Sequence, residues 1–77
     1  MSQKIKLIWD FKGFDAMETA KHHCKHLEEF AEANNLAFYE VGFSKHNPLN
    51  SIAFIIVNRT DMKVYRDALF PHRGELS

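Results

Sequence analysis

The apolar residues of this chain first change period at Gly13, and that change fixes much of what it can fold into. Before it, Ile5, Leu7, Trp9 and Phe11 alternate with Lys4, Lys6, Ile8 and Asp10, the period of two that gives a strand one buried face. After it, Ala16, Met17, Ala20, Cys24, Leu27, Ala31 and, at the margin, Phe30 gather on one side of a helical wheel, while Lys21, Lys25, Glu28, Glu29 and Glu32 fall away. Asp15 followed by Glu18 resembles a capping box at the start of this helix. Asn34 and Asn35 suit its end, because asparagine tolerates the left-handed backbone conformation.

Two more strands are predicted over residues 37–44 and 51–58, both dominated by β-branched and aromatic side chains. The turn formers of residues 45–50 join them as a hairpin with a medium loop. The second strand of this pair is apolar on both faces, the mark of a central position. Thr60 or Asp61 can cap a second helix with Val64, Tyr65, Ala68 and Leu69 as its buried stripe, and Pro71 stops it. Residues 71–77 read as a polar tail. With no repeat or linker, residues 1–77 form a single domain.

The expected fold class is α+β with element order βαββα. A right-handed crossover gives a three-stranded antiparallel sheet of order 2-3-1 with two helices on one face. This resembles the ferredoxin-like, split βαβ plan without its last strand, a plan that hosts many unrelated functions. The segments Lys6-Leu7-Ile8-Trp9-Asp10-Phe11, Thr19-Ala20-Lys21-His22-His23 and Phe70-Pro71-His72-Arg73-Gly74-Glu75-Leu76 look like those of small bacterial proteins of unassigned function. That resemblance brings no site with it. The inward sets of the two periodicities place Leu7, Trp9, Phe11, Ala20, Leu27, Phe54, Ile56, Val64, Ala68 and Leu69 in the core.

Composition bears on the partner. Ten basic and ten acidic side chains cancel, so the electrostatic footprint of a nucleic-acid or anionic-membrane binder is missing. One cysteine, Cys24, cannot close a disulfide within the chain. A reducing, cytoplasmic setting is expected. Neither a signal-peptide core nor an apolar run of membrane-spanning length is visible. The three glycines are isolated, which excludes a Gly-rich phosphate loop. No cofactor is expected.

Two constellations carry candidate chemistry. His22 and His26 are four apart on one helix face, a spacing that can offer two imidazoles to a metal, although a stable zinc site wants about four ligands or three and a water. His23, on the same helix, would make any interface formed there sensitive to pH. The topology also brings Asp10, Lys12, His72 and Arg73 to one end of the domain, where they could bind a small anion or move a proton. An Asp10–Arg73 ion pair pinning the tail is the plainer reading of the same residues. The leading expectation is a non-enzymatic homodimer or partner-binding module using the open sheet face or the free edge of the first strand. A small-ligand or metal-binding protein is the alternative.

Overall fold

The period-two segment forms β1 (Lys4–Lys12) and the helical segment forms α1 (Ala16–Ala33). They are followed by β2 (Glu40–Asn47), β3 (Asn50–Asn58), α2 (Arg59–Leu69) and β4 (Arg73–Leu76), in a computed structural model that describes residues 3–76. The parts of the sequence reading that fall on Met1, Ser2 and Ser77 lie outside the described residues. The sheet is antiparallel throughout and its order is β2-β3-β1-β4. Both helices cover one face, since Leu27 and Ala31 of α1 and Tyr65 of α2 share one core with Leu7, Trp9, Ile55 and Val57.

The expected three-stranded sheet of order 2-3-1 is therefore corrected to four strands. Residues 73–76 of the expected polar tail pair with β1 from Ile8↔Arg73 to Ile5↔Leu76. The edge of β1 is closed and is not a free docking edge. All four residues of β4 are exposed, so the strand exists through its backbone pairing to β1 and shows no periodic burial.

The phase of β3 is also corrected. Trp9 stands opposite Ala53, Leu7 opposite Ile55 and Ile5 opposite Val57, which turns Ala53, Ile55 and Val57 toward the helices. Phe54 and Ile56, expected in the core, lie with Ile52 on the other face. The large Trp9 side chain is matched by the smallest residue across from it. In α2 the stripe against the core is Met62, Tyr65 and Leu69, whereas Val64 and Ala68 are exposed.

Chain reversals are built from backbone chemistry. Asn35 adopts φ 54, and the bonds Asn35 N–H to Glu32 O and Leu36 N–H to Ala31 O close α1 in a Schellman motif. The expected capping box is not formed, for Asp15 makes no side-chain cap bond and Thr19 Oγ1 donates instead to Asp15 O at 3.0 Å. Asn58, rather than Thr60 or Asp61, precedes α2. The β2–β3 hairpin turns tightly at Pro48 and Leu49, with Leu49 N–H donating to Asn47 Oδ1. Among the described residues no helix is long and apolar enough to cross a membrane.

Candidate functional site

The C-terminal end of β1 gathers three of the four residues expected there. Arg73 donates from Nε to Asp10 Oδ2 at 3.2 Å and from a terminal nitrogen to Asp10 Oδ1 at 3.1 Å. His72 accepts the Asp10 backbone N–H on Nδ1 at 2.7 Å. A ring nitrogen that accepts carries no proton, so its 3.9 Å approach to Asp10 Oδ2 is not an ion pair. Lys12 stands apart from this pair, in a shallow depression shared with Asp10, His46 and Asn50. The carboxylate is thus committed to holding β4.

On α1, the rings of His22 and His26 meet edge to face with centroids 4.6 Å apart. Lys21 and Lys25 flank His22 with Glu18 beside them, so the depression there carries charge of both signs. No group of three or more metal-ligating side chains occurs among the described residues. His23 turns the other way, onto Trp9 at 4.8 Å and Phe11 at 5.5 Å. Burial pushes its pKa below the usual imidazole value, with His26 and His72 adding to the effect. Its Nε2 is buried without a hydrogen-bond partner.

Cys24 packs with Ala20 and Ala53 and donates its S–H to Gly42 O at 2.9 Å. Burial raises its pKa, so the thiolate that would react is disfavoured.

The sheet face away from the helices is less open than the alternation implies. Ile8 is only 2% exposed although it points away from the helices, and Ile52 is buried beside it. Charged side chains lie over this surface: Arg73, opposite Ile8, reaches Asp10, and the Lys6 ammonium sits 4.4 Å from the centre of the Phe54 ring. Lys4 covers Tyr39 in the same way at 4.4 Å.

Sequence reasoning missed the outer edge of β4 and the surface beside it. An apolar groove of about 330 Å³ runs between β4 and α2, with Ile5, Leu7 and Gly74 at its base and Met62, Pro71 and Leu76 around it. It exists because Gly74 has no side chain to fill it and because α2 presents only a narrow apolar stripe. A Cβ at position 74 would meet Leu7 Cδ2 at 3.6 Å, an ordinary contact, so the space is real and unstrained.

The ladder also assigns the free backbone groups. Tyr39 N–H donates to Ile56 O, so Ile55 and Val57 turn their polar groups to β1, onto Leu7 and Ile5. Lys6, Ile8 and Asp10 consequently face β4, in agreement with the Asp10 N–H bond to His72. Their partners Arg73 and Glu75 face β1, which leaves the N–H and C=O of Gly74 and Leu76 directed outward. Among the described residues no strand pairs with that side. No family model, curated protein or solved structure matches the chain.

Proposed function

We propose that this chain is a non-enzymatic interaction module whose partner docks along the outer edge of β4 and the groove beside it. One observation carries the reading: backbone groups at Gly74 and Leu76 that no strand among the described residues pairs adjoin apolar surface, with Leu76 74% exposed at the groove. Unpaired edges recruit a further strand, and side-chain pockets beside the edge give that pairing specificity. The groups with capacity for chemistry serve the fold instead. Asp10 is held by Arg73, Cys24 is bonded to Gly42 O, and His22 stacks on His26 between lysines. A second reading, a small anion at the Asp10, His72 and Arg73 end, is favoured by the guanidinium and imidazole that stand together there. Asp10 already fills the guanidinium fork.

The order βαββαβ with sheet order β2-β3-β1-β4 supports reading the fold as the ferredoxin-like plan complete with its last strand. The free Cys24 supports a reducing, cytoplasmic setting.

A photoreactive benzophenone side chain at position 76 tests the docking site, with position 14 as control because Phe14 is 96% exposed outside the groove. The expected result is a discrete crosslinked product from position 76, mapped to one extended segment of the captured chain and lost with Gly74→Pro. The control position should give none. No product at position 76, or one indifferent to Gly74→Pro, overturns the reading.

A further inference from the structure

We infer, resting on the docking role of β4, that the partner is a second copy of this chain, joined antiparallel along β4 with Gly74 on the twofold axis. Only Gly74 and Leu76 of the strand turn backbone groups outward, so a twofold ladder that uses Gly74 can be centred on residue 73, 74 or 75. Side-chain charge separates the three. Centring on residue 75 sets Glu75 against its own copy, and centring on 73 sets Arg73 against its own copy. Centring on Gly74 places Arg73 of each chain directly across from Glu75 of the other, two opposite-charge pairs on one face.

The two side chains are already disposed for this exchange. Both project on the face away from the helices, where Arg73 is fixed by Asp10 and its other terminal nitrogen lies 3.6 Å from Glu75 Oε1 of its own chain. Across the axis the same guanidinium meets a carboxylate without leaving Asp10.

The opposite face accounts for the groove. Gly74 opposite Gly74 leaves both chains without a side chain at the axis, and Leu76 of each copy is the diagonal neighbour of the other's Gly74. That leucine stands directly across from His72 of the partner copy and reaches the Leu7 and Pro71 end of its groove, which covers a side chain otherwise exposed, twice by symmetry. A continuous eight-stranded sheet results, with β2 at both ends.

Sedimentation velocity on the intact chain at micromolar concentration should give a dimer. Glu75→Arg, which sets like charges across the axis and leaves the Asp10 pair intact, should weaken it by about tenfold or more. Gly74→Pro, which removes the central N–H, should give a monomer with an unchanged circular dichroism spectrum. Mixing Glu75→Arg with the double variant Asp10→Asn and Arg73→Glu, in which no carboxylate at position 10 repels the new one, should restore a dimer that native mass spectrometry identifies as one copy of each. A wild-type monomer, or a dimer insensitive to both Glu75→Arg and Gly74→Pro, overturns the self-pairing. A wild-type monomer that still gives the position-76 crosslink to another protein defeats self-pairing alone. Absence of both dimer and crosslink defeats the docking role as well.

Discussion

Arg73 clasps Asp10 through two parallel hydrogen bonds at 3.2 and 3.1 Å, tying the last strand of the sheet to the first across 63 residues of chain. Both side chains are partly exposed, so the pair contributes only about 0–1 kcal/mol to global stability. Its larger effect is local. Asp10→Asn should leave the urea midpoint nearly unchanged while the amides of Arg73 and Glu75, which face β1, exchange faster with solvent. A fall in global stability well beyond that range would mean that β4 is integral to the cooperative core.

Leu27 is fully buried between α1 and the sheet, and its truncation leaves a void that the neighbouring helix and strands cannot collapse into. Leu27→Ala should cost about 2–5 kcal/mol in denaturant unfolding. Val64→Ala is the contrast. With Val64 44% exposed, the change should stay within about 0.5 kcal/mol, against the sequence expectation that Val64 belongs to the core.

His23 gives the fold a dependence on pH whose sign follows from its lowered pKa. The folded state resists protonating an imidazole that the unfolded chain protonates near pH 6.5, so unfolding takes up a proton as the solution is acidified. This group therefore leaves stability unchanged at higher pH and removes it as pH falls below about 6.5 toward the folded-state pKa. Urea midpoints measured between about pH 7.5 and 5.5 should decline in the wild type and flatten in His23→Phe, which keeps a ring against Trp9 and Phe11. An equal decline in both would assign the effect elsewhere.

Gly42 stands across from Phe54, and a Cβ there would lie 2.9 Å from the tip of the Phe54 ring. Gly42→Ala should force the ring off its contact with Lys6 and cost about 1–3 kcal/mol. Phe54→Leu in the same chain should return part of that loss, measured as a double-mutant cycle. Additive effects would show that the two residues do not touch.

The strand and helix with clean periodicities, β1 and α1, were legible because each turns one apolar set into the core between helices and sheet, although Ile8 on the other face of β1 is buried as well. β3 was legible as a central strand but not in phase: apolar on both sides, it gives no signal of which set faces the helices, and only the register that sets Ala53 against Trp9 decides it. The stripe of α2 was misread because Val64 and Ala68 are apolar yet exposed, and Tyr65 alone in that helix is buried. β4 was invisible because four residues, one of them glycine and all of them exposed, are too short a run to show a period, and they owe their conformation to backbone pairing with a strand at the far end of the sequence. The Asp10, His72 and Arg73 cluster could be found because topology alone brings those ends together. The β4 edge could not be found without the strand that forms it.

The distance in sequence between β1 and β4 has a consequence during synthesis. Asp10 and His72, which meet where the two strands join, are 62 residues apart, an interval a ribosome covers in about 3–12 s. From the emergence of β3 until β4 follows, the sheet presents the β1 side that β4 will later cover. Lys4 and Lys6 lie on that strand, and lysines on an open edge discourage pairing with a neighbouring nascent chain. In the finished molecule the same two lysines rest over Tyr39 and Phe54, so they guard the strand first and pack the sheet afterwards.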